Sequence, residues 1–391
     1  MKPRGSPQGL LRFNVPSTAA RLVIRPPRRF ASHASPSPSP PPSSSPSTPS
    51  PKQQRWLRLA FITAAAAGIG ALVRSQQGPD SSTLNPVKFT PYYLVSREPV
   101  SSTGSFFILQ PPKEDGSNNA VYEGAWKTGV WSVMFKQPQL QIGRDYTPLP
   151  STSSGEEDDE CLRFFIRKDP FGEVSRYLHS LDIGAPIEVR GPRIECEIPS
   201  DTRQILFIAG GTGIAPALQA GHTLLRRTSP THKPKIHILW ANRRREDCVG
   251  GVSETTTTTA APQRSWLSGF STSLKDKHTP IYPPKAADTS LIVRELEALQ
   301  SQYPGQVSVD YFVDEEGTSI GKQSILDSTS SALSSKEPGK GKHNLILVSG
   351  PEGFISYMAG PKLWAQGMEL QGPLRGILKE LDLKNWAVWK L

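Results

Sequence analysis

Cysteine is scarce. Only Cys161, Cys196 and Cys248 occur in 391 residues, with no CxxC pair and no metal-ligand spacing. A disulfide framework or a zinc site is therefore not expected to organise this chain, and no metal site is assigned. Acidic residues are missing from a long stretch: no Asp or Glu precedes Asp80. That stretch carries eleven of the 45 Lys and Arg, which leaves 34 basic residues against all 35 acids from Asp80 onward, a net of −1. The overall charge of +10 therefore describes a basic tail on a nearly neutral body, and a nucleic-acid partner is excluded. No Ser/His/Asp or Cys/His constellation stands out, so no side-chain nucleophile is indicated. Apolar content is low at 36%, against 38 Pro and 32 Gly, but the bias is local. The body of about 310 residues suffices for two ordinary domains.

The tail divides into three segments. Residues 1–30, rich in Arg and free of acid, read as a mitochondrial presequence, with Arg28-Arg29-Phe30-Ala31-Ser32 as a matrix-protease site cut after Phe30. A linker over 31–55 follows. Its stretch 35–51 contains only Ser, Pro and one Thr, an extended polyproline-like spacer. Residues 56–74 enclose an uncharged run, Leu59 to Val73. As a helix this segment is about 28 Å long, close to the ~30 Å hydrocarbon core, and predicts one transmembrane span. Lys52, Arg55 and Arg58 precede it, whereas Arg74 follows with Asp80 close behind. The positive-inside bias then places the N-terminus in the matrix and the C-terminal body in the intermembrane space.

Beyond Lys88 the pattern turns strand-like. Pro91–Val95, Ser105–Leu109 and Trp131–Phe135 are short β-prone runs without helical periodicity, which predicts a small antiparallel barrel over 85–199. The chemistry begins at Arg144-Asp145-Tyr146-Thr147-Pro148. An arginine fork can pair with pyrophosphate oxygens, a tyrosine ring can pack on a flavin, and a threonine hydroxyl can reach its N5 edge. Taken alone, RxYT is as compatible with an ordinary strand end. Gly172-Glu173-Val174-Ser175 opens a helix, where backbone N–H groups favour phosphate, and a plain N-cap is the competing reading. Between the two motifs lies the acidic run Gly155–Glu160, either a solvated loop or a docking patch for a basic partner such as cytochrome c.

A second lobe is predicted over 202–391. Gln204–Ala209 is a continuous apolar run, as a buried parallel strand requires. It enters Gly210-Gly211-Thr212-Gly213-Ile214-Ala215-Pro216, a tight turn into a helix with proline in its permitted first turn. The third glycine of GxGxxG is missing. The strand Lys235–Asn242 ends in Arg243-Arg244-Arg245-Glu246-Asp247, where a doubly wound sheet reads the adenosine ribose. Residues 249–289, with five consecutive threonines, predict a disordered insertion. Leu291–Leu299 reads as helix, Val307–Val313 as strand, and Ser328–His343 as a polar loop. A last buried strand, Asn344–Val348, leads into Ser349-Gly350-Pro351-Glu352-Gly353-Phe354. Trp386 and Trp389 near the C-terminus fit either a cofactor cover or core packing.

RxYT and GxxS, in this order and about thirty residues apart, resemble the FAD lobe of NADH-cytochrome b5 reductases and the wider ferredoxin–NADP reductase superfamily. GGTGIxP and the Ser-Gly-Pro turn resemble the nicotinamide signatures of that superfamily. The resemblance implies an antiparallel six-stranded-type β-barrel FAD lobe followed by a doubly wound α/β nicotinamide lobe, here preceded by the transmembrane helix. It implies FAD and either NADH or NADPH as cofactors. Arg144 and Ser175 then hold the pyrophosphate, Gly172 and Val174 are further cofactor-binding positions of that motif, and Tyr146 and Thr147 face the isoalloxazine. Gly210, Gly211, Thr212, Gly213, Pro216, Gly350 and Pro351 form the nicotinamide side. Thr147 and Ser349 are the catalytic candidates, Ser349 standing where the superfamily carries a cysteine. Asp247 matches the superfamily's acidic position and favours NADH, while Arg244 and Arg245 keep NADPH open. The tail together with the ending Asn-Trp-Ala-Val-Trp-Lys-Leu resembles the family of fungal mitochondrial cytochrome c import factors. That implies an inner-membrane flavoprotein delivering electrons to a haem or haem protein, with cytochrome c or its haem lyase as partner. A general cytochrome b5 reductase-type diaphorase and a non-catalytic scaffold for haem lyase are the alternatives.

Overall fold

The short apolar runs of the first lobe do alternate. In β1 (Thr90–Pro99), Thr90, Tyr92 and Leu94 point inward while Pro91, Tyr93 and Val95 face solvent, the period of a half-buried strand. β2 (Gly104–Gln110), β3 (Gly129–Gln137), β4 (Ile142–Tyr146), β5 (Pro148–Leu149), β6 (Leu162–Arg167) and β7 (Pro186–Glu197) complete an antiparallel sheet of order β4-β3-β7-β1-β2-β6-β5. Thr147 alone separates β4 from β5. The two form one bent strand, paired to β3 at one end and to β6 at the other. The sheet thereby closes on itself as a six-stranded barrel filled by Leu94, Phe107, Trp131, Phe135, Phe164 and Val189, among others. Each such side chain contributes about 1.5–3 kcal/mol by leaving water.

This computed structural model describes residues 83–112, 117–150, 160–253, 289–333, 344–365 and 367–391. The presequence, the linker and the expected membrane span lie outside them, as do residues 254–288 of the insertion. Among the described residues no helix is long and apolar enough to cross a membrane.

Two helices depart from the sequence expectation. The barrel contains α1 (Asn119–Thr128), although no helical periodicity was expected there. Its signal is only one turn deep: Tyr122, Ala125 and Trp126 lie three to four apart and turn toward the barrel. The Tyr122 and Tyr92 hydroxyls meet at 2.7 Å. Glu160, the last residue of the acidic run, caps α1 by accepting from the Asn118 N–H at 2.8 Å and from the Ser117 hydroxyl. Burial opposes its charge, but these hydrogen bonds prevail and hold its pKa below the usual carboxylate range. Glu160 thus has a structural role at the start of α1; residues 155–159 of the acidic run lie outside the described residues. α2 (Glu173–Ser180) follows β6.

The second lobe is a five-stranded parallel sheet of β8 (Gln204–Gly210), β9 (Lys235–Asn242), β10 (Val307–Val313), β11 (Asn344–Ser349) and β14 (Trp386–Lys390), in the order β10-β9-β8-β11-β14. α3 (Ile214–Leu225) and α4 (Leu291–Gln302) share a core with Ile205 and Phe207. α5 (Lys322–Leu333), α6 (Glu352–Ala359) and α7 (Gly376–Glu380) share the other with Leu206 and Ile208. Helices on both faces of a parallel sheet make the doubly wound layer arrangement. α5 is the second departure, since residues 328–333 were expected to be loop. Its serines and threonines bond back into the helix, Ser328 to the Ser324 carbonyl and Thr329 to the Ile325 carbonyl. A short hairpin, β12 (Leu363–Ala365) with β13 (Met368–Leu370), precedes α7. The insertion is closed at its neck, where the Ser290 N–H donates to the Val249 carbonyl at 2.9 Å. One apolar cluster crosses between the lobes, joining Phe106, Val130, Leu149 and Phe165 to Phe207, Leu218 and Trp240.

Candidate active site

In a doubly wound sheet, ligands bind beyond the carboxyl ends of the strands where strand order reverses. Here that point lies between β8 and β11. A turn at the end of each strand meets the other backbone to backbone. A Cβ on Gly213 would lie 2.4 Å from the Ser349 carbonyl oxygen, so no side chain fits. Gly210 and Gly211 support this turn from behind. Gly210 packs under the Phe354 ring, and the Gly211 carbonyl accepts the Trp240 Nε1–H at 2.9 Å. α3 starts immediately afterwards, with Pro216 buried in its first turn.

Between this edge and the open side of the barrel runs a cleft of about 1060 Å³. Arg144, Tyr146, Thr147, Gly172, Val174 and Ser175 line one wall; Thr212, Gly213, Pro216, Ser349, Gly350 and Pro351 line the other. Asp247 contributes from a third direction. Residues scattered over 200 positions thus meet around one space, at the upper end of the size range for ligand pockets.

On the barrel wall, Arg144 is exposed and donates to its neighbour's carbonyl, Gly143, at 2.8 Å. No carboxylate pairs with it among the described residues. Asp145 beside it is already paired with Arg193 at 3.2 Å. The Tyr146 ring packs against Phe135 with centroids 5.0 Å apart, and burial raises its phenol pKa, so it stays neutral. Ser175 is buried, and its hydroxyl is engaged within the loop. It donates to the Gly172 carbonyl at 3.1 Å and accepts from the Asp169 N–H at 3.1 Å. A Cβ on Gly172 would strike that hydroxyl at 2.7 Å. Ser175 therefore shapes the approach to α2, whose first N–H groups have no intrahelical partner. Val174 turns into the barrel core.

Asp247 has partners that the sequence reading did not foresee. Its carboxylate is buried, with Oδ2 held by Arg167 at 2.5 Å and Oδ1 by the Ser101 hydroxyl at 2.7 Å. Both partners belong to the barrel, so Asp247 joins the lobes while it lines the cleft. Glu246 does the same with Ser102, accepting from its hydroxyl at 2.6 Å and its N–H at 3.2 Å. Those bonds hold the Glu246 pKa below the ordinary range. Arg245 changes role, because it forks onto Glu316, outside the cleft. The cations that do line the cleft here are Arg243 and Arg244.

Sequence reasoning missed Arg167 and Gln219. Arg167 ends β6, where the run Arg-Lys-Asp after an apolar strand was the available signal. Gln219 lies inside α3 with no local signal beyond being polar in an apolar helix. Trp386 packs in the core, while Trp389 donates its Nε1–H to the Glu195 carbonyl of β7 at 3.1 Å. Neither lines the cleft. None of the three cysteines is in a disulfide, and burial pushes the Cys196 thiol up to about 12 and the Cys248 thiol up to about 11.

Residues 207–268 match a family model described as the oxidoreductase NAD-binding domain. The chain is 25% identical over 365 residues to the cytochrome c mitochondrial import factor CYC2 of Saccharomyces cerevisiae, covering 85% of this chain and 92% of that one. It is 26% identical over 299 residues to NADH-cytochrome b5 reductase 2 of Kluyveromyces lactis, covering 76% and 82%. Among solved structures, the cytochrome b5 reductase domain of Ulva prolifera nitrate reductase is similar at 21% identity. That likeness covers 70% of this chain and 91% of that one, with a TM-score of 0.44.

Proposed function

We propose that this chain is an FAD-dependent NAD(P)H oxidoreductase that delivers electrons to a haem or haem-protein acceptor in the mitochondrion, in support of cytochrome c import and haem attachment. The observation that carries this reading is the single cleft whose walls are the RxYT and GxxS motifs on one side and two interlocked glycine turns on the other.

The residues present fit both cofactors. Among the described residues no carboxylate pairs with Arg144, and beside it the first amides of α2 suit the pyrophosphate of FAD. Neutral Tyr146 supplies a flat apolar face. Across the cleft, the backbone-to-backbone contact of Gly213 with Ser349 leaves room for a nicotinamide to lie close to the chain. The chemistry of a bound flavin is acceptance of one hydride, two electrons with one proton, from the nicotinamide, and release of the electrons singly to an acceptor. Thr147 and Ser349 are the polar side chains that would orient the two rings. Arg243 lines the cleft, as does Arg244, which is paired with Glu246 at 3.2 Å; they would meet a 2′-phosphate, and NADH and NADPH are both candidates.

The similarity to NADH-cytochrome b5 reductase 2 favours a second reading, a diaphorase for cytochrome b5. One experiment separates the readings. Full-length protein in detergent should be yellow, NADH or NADPH should bleach its oxidised-flavin absorbance under nitrogen, and ferric haem or cytochrome c should restore it. Restoration by cytochrome b5 alone selects the diaphorase. A colourless protein, or a flavin that both nucleotides leave oxidised, refutes the enzyme.

The acid-free N-terminus and the similarity to a mitochondrial import factor support the location. An inner-membrane anchor over 56–74 with the body in the intermembrane space is the finer proposal. Protease added to mitoplasts should then digest the body, and an intact body overturns that topology.

A further inference from the structure

Hydride transfer across the cleft depends on how its two walls are held in register, and one side chain outside the cleft ties them together. Gln219 is completely buried in α3, three residues beyond Pro216 and so about one turn from the nicotinamide wall. Its Oε1 accepts the Trp131 backbone N–H of β3 at 2.8 Å. Its Nε2 donates to the Pro148 carbonyl at 2.8 Å. Pro148 directly follows Thr147, the bend at which β4 becomes β5. The orientation of the amide is fixed by its partners, because a backbone N–H can only donate and a carbonyl can only accept.

Other contacts also join the lobes: Val130 and Leu149 share an apolar cluster with Leu218, Arg163 pairs with Glu295, and Trp389 donates to the Glu195 carbonyl. Thr223, one turn further along α3, donates to the Trp126 carbonyl at 2.9 Å, and the Asp247 and Glu246 bonds stand at the far rim. Of these bonds, only those of Gln219 reach the residue adjoining Thr147 from the helix that carries Pro216.

We propose that Gln219 is a positioning residue for hydride transfer, fixing the distance and angle between the Thr147 wall and the Gly213–Pro216 wall. This rests on the oxidoreductase reading above. Gln219 lines neither ligand wall, so its loss acts on the rate and not on binding. A displacement of about 1 Å between reacting groups costs on the order of 10²-fold in rate.

The test compares full-length wild type with Gln219→Glu and Gln219→Leu. Glutamate is isosteric and still accepts from Trp131, but it sets a carboxylate oxygen against the Pro148 carbonyl. Leucine abandons both partners. FAD per chain and the Kd for NAD+ should stay within about twofold in Gln219→Glu. Its rate of flavin reduction by NADH or NADPH under nitrogen should fall by about 10- to 100-fold. The deuterium isotope effect on that rate should rise as the transfer itself becomes limiting. Hydrogen exchange at the Trp131 amide should stay slow in Gln219→Glu and quicken in Gln219→Leu, a readout independent of any cofactor. Wild-type reduction rates in Gln219→Glu overturn the proposal, as does a rate loss matched by an equal loss of FAD or NAD+ affinity. A wild type that neither nucleotide reduces overturns the oxidoreductase reading and this proposal with it. That outcome is distinct from failure of Gln219 alone, in which wild type is reduced and the variants keep pace.

Discussion

Arginine side chains around the cleft divide by what they hold. Arg167 and Arg193 each have a carboxylate within 3.2 Å, whereas among the described residues Arg144 has only a backbone carbonyl of its own strand. An exposed guanidinium so placed is available to an anion, and a charge-assisted hydrogen bond is worth about 1.5–3 kcal/mol. Arg144→Ala should therefore weaken FAD binding by about 10- to 100-fold without lowering the melting temperature of the apoprotein. FAD content after gel filtration measures this, and unchanged stoichiometry refutes the assignment. Arg144, Tyr146 and Thr147 were legible because a short motif names residues that all face one side of one strand end. Asp247 and Ser175 were legible only as positions. Their bonds to Ser101, Arg167 and Asp169 depend on where other loops land.

Elements were readable where burial imposes a period. β10 and β11 match their predicted runs to within a residue, because β10 buries Val307, Val309, Tyr311 and Val313 at alternate positions and β11 is a nearly continuous apolar stretch. α1 and α5 escaped for a different reason. α1 has a single turn of apolar spacing, and its start is capped by Glu160, about forty residues away in sequence. α5 is rich in Ser and Thr, which compete with helix through local hydrogen bonds unless buried contacts such as Ile325 decide the matter. The barrel was expected, but the way it closes was not, since a strand bent at Thr147 reads in sequence as a strand followed by a turn.

At the scale of the molecule, two lobes are joined by an apolar core and by a set of polar ties. One of its contacts titrates. His222 on α3 packs edge-on against Trp126 of α1, with centroids 5.4 Å apart, and its Nδ1 makes no hydrogen bond among the described residues. Burial, aided by Arg226, lowers its pKa from 6.5 to about 4. The unfolded chain therefore binds the proton first as pH falls. Stability should be full above pH 6.5, decline between 6.5 and about 4, and flatten below, a loss of about 3 kcal/mol from this group. Thermal melts of wild type and His222→Phe across that window should show a shallower decline in the variant. Equal slopes would mean that other groups govern acid sensitivity.

The order of the parts was determined by the sequence alone: an acid-free tail, a run of alternating strands, a buried strand feeding a glycine turn, and a second such turn near the end. Each is local, set by charge, by period, or by the space a missing Cβ leaves. What only the tertiary structure decided is which polar groups were already taken. Asp247, Arg245, Glu160 and Ser175 each carry plausible chemistry in sequence, and each is engaged by a partner in the fold. Gln219 carries none in sequence, yet it joins the two walls of the cleft. A hydrogen bond across 71 or 88 residues leaves no period to read, because its partner is chosen by the packing of whole lobes.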